Sequence, residues 1–106
     1  MNKPLVTIAI CNFNRCHVLR RSIQSCLAQV TNRRLIELIV VDDGSTDEST
    51  EVITKFSNQL VLISHEENLG IGAASQTALQ HATGEYFMRV DSDDYIASET
   101  IASYAL

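Results

Sequence analysis

An α/β fold, one open parallel sheet with helices on both faces, is predicted by two observations. Apolar runs of strand length alternate with segments of helical period along the whole chain, and a β-α-β-α order of this kind builds a parallel sheet. Two of the runs pass directly into acidic clusters, Asp42-Asp43-Gly44-Ser45 and Asp91-Ser92-Asp93-Asp94. Both clusters therefore belong in loops at the carboxyl ends of strands, where open α/β sheets take up ligands.

Residues 5–10, rich in β-branched side chains, read as the first strand. A helix over 17–30 follows, because Leu19, Ile23, Cys26, Leu27 and Val30 recur at helical spacing and make one apolar face. Residues 36–41 form the second strand and end in the first acidic cluster. Ser45 and Glu48 then have the spacing of a capping box, ahead of a helix over 47–57.

Residues 60–64 make a third strand. Gly70-Ile71-Gly72 leads into an alanine-rich helix whose stop is expected at Gly84, and residues 85–90 make a fourth strand. Ser98 and Glu99 start a last helix that is still amphipathic at Leu106, so the fold reads as cut and not finished. If right-handed crossovers add strands outward from the first and then reverse, the strand order is 3-2-1-4, with the switch point between strands 1 and 4.

With 106 residues, 45% of them apolar, the chain is one domain over 1–106 or part of a larger one. Thirteen acidic residues against eight basic ones argue against nucleic acid as a partner, since phosphate binding depends on basic side chains. No apolar stretch approaches the roughly 20 residues of a membrane helix, and no signal region precedes the first strand. A cytoplasmic chain is expected, or the cytoplasmic part of a longer one lying at the membrane face. Cys11, Cys16 and Cys26 lack metal or disulfide spacing and read as reduced thiols. His17, His65 and His81 likewise lack ligand spacing and are expected at helix surfaces or strand ends.

Several carboxylates in one crevice repel each other unless something positive lies between them. A hard divalent cation shared with a diphosphate meets that need. Four pieces stand in a telling order: Asn12-Phe13-Asn14-Arg15, then Val40-Val41-Asp42-Asp43-Gly44-Ser45-Thr46-Asp47, then Asn68-Leu69-Gly70-Ile71-Gly72-Ala73-Ala74, and last Thr83-Gly84-Glu85-Tyr86 leading to Asp91-Ser92-Asp93-Asp94. Together they resemble the nucleotide-sugar glycosyltransferases of the GT-A fold, a Rossmann-like sheet, and among these the inverting family 2. The resemblance covers essentially the whole chain.

That resemblance implies the N-terminal, donor-binding portion of a catalytic domain, truncated after it. Its reaction would be transfer of a sugar from a nucleotide-diphosphate sugar, a UDP-sugar above all, to an acceptor hydroxyl. It implies that Asn12, Phe13, Asn14 and Arg15 line the nucleotide pocket, and that Asp42 accepts a hydrogen bond from the base with Asp43 beside it. It also implies that Asp91 and Asp93 serve the ribose and a Mg2+ or Mn2+ ion on the diphosphate, with Asp94 orienting its neighbours. The general base required for inversion would fall beyond Leu106, and the acceptor, a glycan, a lipid or another hydroxyl compound, stays open.

The chain departs from the family pattern in two places. Cys11-Asn12 stand where Pro-Thr or Pro-Ala is frequent, and Ser75-Gln76 where Arg-Asn is frequent, which removes an Arg that could contact phosphate. The residues alone leave two other readings open: a nucleotide-sugar-binding module without catalysis, and a receiver-like or flavodoxin-like interaction domain. The first acidic cluster also suits a plain strand-to-helix turn, and Gly70 and Gly72 suit a turn and a helix approach. A cut sheet is further expected to expose apolar surface near strand 4 and to self-associate.

Overall fold

The computed structural model describes residues 4–28 and 36–92. The elements alternate as the apolar pattern requires: β1 (Val6–Asn12), α1 (Cys16–Leu27), β2 (Ile36–Asp43), α2 (Ser49–Thr54), β3 (Val61–His65), α3 (Ile71–His81) and β4 (Tyr86–Asp91). The strands form one parallel sheet in the order β3-β2-β1-β4, the expected topology.

The two central strands, β1 and β2, are covered on both faces, which is why they read as apolar runs interrupted only by Thr7 and Glu37 ahead of their polar ends. Successive side chains of a strand point to opposite faces. On one side Val6, Ile8, Ile10, Leu38, Val40 and Val90 pack with Leu19, Ile23 and Cys26 of α1 and Ile53 of α2. On the other side Ala9, Cys11, Ile39 and Val41 pack with Ala74 and Ala78 of α3. The first layer is built of large side chains, each worth about 1.5–3 kcal/mol on full burial. The second is thin, and its alanines leave little bulk between α3 and the sheet.

All three described helices differ from the sequence expectation in their boundaries. Helix α1 ends at Leu27, with Ala28 as its C-cap, and Gln29 and Val30 lie outside the described residues. Helix α2 is shorter than 47–57, because after Thr54 the backbone bonds shorten to three-residue turns, Lys55 to Val52, Phe56 to Ile53 and Ser57 to Thr54. The capping box does not form: Glu48 is the N-cap without a side-chain bond, and Ser45 is committed elsewhere. Helix α3 stops at His81, where Ala82 turns extended, so Gly84 is not its stop.

Gly84 has a different task. A Cβ there would lie 2.6 Å from the Thr7 nitrogen, so only glycine admits this approach of the β4 entry to β1. The Gly84 amide donates to Thr7 Oγ1, which itself donates to Glu37 Oε1, and Glu37 also receives the Thr83 amide and hydroxyl. At the edges of the sheet, Val61 on β3 and Tyr86 and Phe87 on β4 are exposed. The helix expected from Ser98 lies outside the described residues. No helix among the described residues is long and apolar enough to cross a membrane.

Candidate functional site

Strand register assembles the site. Asn12 pairs with Asp42, Cys11 with Asp91 and Asp43 with His65, so all these residues end on one carboxyl edge of the sheet. A cavity of about 400 Å³ opens there, lined by Cys11, Asn12, Phe13, Arg15, Asp43, Asn68, Gly70, Ile71, Ala74, Asp91 and Ser92. By strand alternation Cys11, Asp43 and Asp91 fall on the α3 face with Ala9, Ile39 and Val41. Asn12 and Asp42 fall on the opposite face.

Asp42 and Asn14 stand outside the cavity lining and hold its rim together. Asp42 is buried. Its Oδ1 accepts from Asn12 Nδ2 at 3.0 Å and from Ser45 Oγ at 2.6 Å, and its Oδ2 accepts from the Ser45 amide at 3.2 Å. Ser45 Oγ in turn accepts from the Asn14 amide. The Asn14 side-chain Oδ1 accepts from the amides of Thr46 and Asp47, with Asn14 at φ 52°, a left-handed conformation that asparagine tolerates. Because Asp42 is acceptor-only, the Asn12 amide nitrogen must face it. That leaves Asn12 Oδ1 buried without a partner among the described residues.

The loop ends are anchored across the sheet. Asp47 Oδ2 accepts from the Cys16 amide and Oδ1 from the Ser49 amide, so one carboxylate serves the starts of both α1 and α2. Burial pushes the Asp47 carboxyl up, but the bonds from Ser49 and Cys16 outweigh it and hold the carboxyl down at about 2. Gly44, at φ 75°, turns where a Cβ would sit 2.4 Å from the Glu67 carbonyl carbon, so the first acidic turn lies flat against the loop before α3.

Asp43 faces the cavity. Its Oδ1 accepts from His65 Nδ1 at 2.8 Å and from the Leu69 amide at 3.0 Å, and its Oδ2 accepts from the Gly70 amide at 2.9 Å. Burial raises this carboxyl, yet the bonds from His65 and the two amides prevail and keep it below the usual carboxylate range. Gly70 begins α3 at φ 99° and lines the cavity, so it does more than turn the chain.

Asp91 offers the other carboxylate. Its Oδ1 is sealed from solvent without a hydrogen bond among the described residues, and Arg89 Nε stands 3.8 Å away, close enough for charge pairing and too far for a hydrogen bond. Arg89 also donates to Ser75 Oγ at 3.3 Å. A guanidinium from β4 thus stands beside the position where the sequence lacks the expected Arg. Asp93 and Asp94 lie outside the described residues. Among the described residues no three His, Cys, Asp or Glu side chains form a metal-holding group.

Of the residues expected at the nucleotide pocket, the structure brings Asn12, Phe13, Arg15, Asp43 and Asp91 together. His65 and Arg89 beside the cavity, and Cys11, Asn68 and Ile71 in its lining, are not among the residues expected there from the sequence. For Asn68 and Ile71 the signal was present, since both lie in the Asn68–Ala74 motif, whereas His65 carried no ligand spacing. The three cysteines are free thiols, and burial pushes the Cys11 thiol up and that of Cys26 to about 11.

A family model described as glycosyl transferase family 2 matches residues 7–104. An uncharacterized glycosyltransferase of Haemophilus influenzae is 38% identical over 104 residues, which cover 95% of this chain and 41% of that protein. The chondroitin synthase of Pasteurella multocida is 37% identical over 100 residues, covering 92% of this chain and 10% of that protein. Among solved structures, S. aureus TarS 1-349 in complex with UDP superposes with a TM-score of 0.88 at 32% identity, over 95% of this chain and 31% of that one. A mannosyltransferase of Pyrobaculum calidifontis in complex with GDP-Man and Mn2+ gives a TM-score of 0.85 at 27% identity, over 97% and 31%. The chain spans less than half the length of each of these proteins.

Proposed function

The chain belongs to glycosyl transferase family 2, and on that premise we propose that its cavity is the donor site of a glycosyltransferase that uses a nucleotide-diphosphate sugar, UDP-linked in the first instance. The observation that carries this reading is the convergence of Asn12, Phe13, Arg15, Asp43 and Asp91 on one cavity of about 400 Å³ at the carboxyl edge of the sheet. The volume is of the size that small-molecule sites have. The UDP and UDP-GlcNAc complexes of TarS support the choice of nucleotide.

In this reading Asp43, and not Asp42, presents its carboxylate to the ligand, because Asp43 lines the cavity whereas Asp42 lies on the opposite face of the sheet, buried against Asn12 and Ser45. An acceptor-only carboxylate and the orphaned Asn12 Oδ1 both favour a base edge or ribose that brings N–H or O–H donors. Phe13, 39% exposed, offers a ring face for stacking. Arg15 supplies positive charge at the rim for the diphosphate.

The donor set fits a hard divalent cation, since Asp91 keeps a buried carboxylate oxygen with no hydrogen-bond partner among the described residues. Asp91, with Asp93, would hold Mg2+ or Mn2+, and such an ion stabilises the negative charge that develops on a departing diphosphate. The Mn2+ complex of the related mannosyltransferase supports this assignment. The reaction is displacement at the anomeric carbon by an acceptor hydroxyl with inversion, and the described residues include no assigned base for that hydroxyl.

Titration of the chain with UDP, with and without Mn2+, tests the proposal by calorimetry or NMR. Saturable binding that strengthens with Mn2+ and loses that dependence in Asp91→Ala is the expected result. A folded chain that shows no UDP binding at millimolar ligand would overturn it.

A further inference from the structure

We propose that His65 is a positioning residue for the donor cavity: its ring ties Asp43 to α3 and so holds the cavity wall formed at Leu69 and Gly70. This rests on the reading of the cavity as a nucleotide site. The β2–β3 register pairs Asp43 with His65, so the two side chains leave neighbouring strand ends together. His65 Nδ1 lies 2.8 Å from Asp43 Oδ1, and Nε2 lies 2.8 Å from Thr77 Oγ1 on α3. Asp43 has only acceptors to offer, so Nδ1 carries the proton, and in the neutral ring Nε2 accepts from the Thr77 hydroxyl.

The chain of bonds continues from Asp43 into the wall. The same carboxylate takes the amides of Leu69 and Gly70, and Gly70, Ile71 and Ala74 line the cavity beyond. Three elements thus meet at one imidazole: the end of β2, the end of β3 and the second turn of α3. The side chains of His65 and Asp43 are only 11% and 5% exposed, so water offers a poor substitute for the ring. Without it, Asp43 keeps the Leu69 and Gly70 amides but loses the bond that ties it through the ring to Thr77 on α3, so the carboxylate and the Gly70 entry to α3, at φ 99°, are held less firmly against that helix. The carboxylate that faces the ligand is therefore aimed by a residue that does not line the cavity.

Three variants test this: His65→Ala, His65→Asn, whose amide can replace the Nδ1 donor but cannot reach Thr77, and Thr77→Val, which keeps shape and removes the hydroxyl. Two measurements apply to each, amide exchange at Leu69 and Gly70 in the free chain, and UDP affinity by NMR titration. In His65→Ala exchange at both amides should quicken and UDP affinity should fall about tenfold, the size expected from losing a hydrogen bond to a charged group. His65→Asn should restore most of both, a rescue that a mere packing role would not produce. Wild-type exchange and affinity in His65→Ala, or no recovery in a folded His65→Asn, would overturn the proposal. If His65→Ala does not fold, Thr77→Val carries the test, with about a threefold effect in the same direction expected for a neutral hydrogen bond and no effect overturning it. Absence of UDP binding in the wild type would overturn the nucleotide reading alone, because amide exchange at Leu69 and Gly70 still decides whether His65 holds the wall.

Discussion

Asn12 and Asp42 face each other across the β1–β2 pair, and the asparagine amide donates to the carboxylate at 3.0 Å in a fully buried bond. The first carboxylate of the Asp42-Asp43 pair is thereby an internal brace, while the second faces the cavity. The two should respond oppositely to substitution. Asp42→Asn sets a second amide against donors from Asn12 and Ser45 and should cost about 1–3 kcal/mol of stability, read by urea unfolding. Asp43→Asn should show its main effect as weaker UDP binding, read by titration.

Acid should unfold the chain partly through Asp47. Its carboxyl is held at about 2 against an ordinary value of 3.8, so as pH falls the unfolded chain takes up the proton first. The stabilisation is complete above about pH 4 and is lost as pH falls from there to about 2. Unfolding midpoints measured between pH 2 and pH 6 should fall in the wild type and vary less in Asp47→Asn, which should be less stable at neutral pH.

Gly44→Ala should destabilise the chain by more than about 1 kcal/mol, since alanine is strained at positive φ and its methyl would meet the Glu67 backbone. The first acidic turn and the 66–70 loop rest on each other there. Thermal unfolding together with UDP titration should show stability and affinity falling together.

Arg89→Ala separates charge from stability. The Arg89–Asp91 pair is 43% exposed on both sides, so its loss should cost under about 1 kcal/mol. Removing the guanidinium leaves Asp91 without its nearby cation. UDP alone should bind more weakly and Mn2+ alone more strongly, which paired calorimetric titrations would read.

Exposed apolar residues on β4, Tyr86 and Phe87, bear on the expected self-association. Light scattering over a wide concentration range should show mass rising with concentration, and Tyr86→Lys should suppress that rise. A constant monomer mass would count against it.

Much of the architecture is legible in the sequence. Strand and helix periods differ, so β1 to β4 and α1 to α3 declare themselves, and right-handed crossovers leave few strand orders, of which 3-2-1-4 is the observed one. The carboxyl-edge placement of Asp42, Asp43 and Asp91 followed from the apolar runs that precede them. Alternation along β2 even requires Asp42 and Asp43 to point to opposite faces.

Which face carries the cavity was decided by tertiary structure, because the choice depends on α3 packing beside Ala9, Ile39 and Val41 while α1 and α2 take the other side. Ser45 looked like a helix cap and became the partner of Asp42, Asn12 and Asn14, the last two lying more than thirty residues away. His65 and Arg89 carried no local signal, since the partners that give them meaning, Asp43 and Thr77 for the one and Ser75 for the other, stand 22, 12 and 14 residues distant. Local pattern records which elements form and in what order, because propensity and periodicity act over a few residues. The side-chain bonds that aim a carboxylate into the cavity join residues that only the folded sheet brings within hydrogen-bond reach.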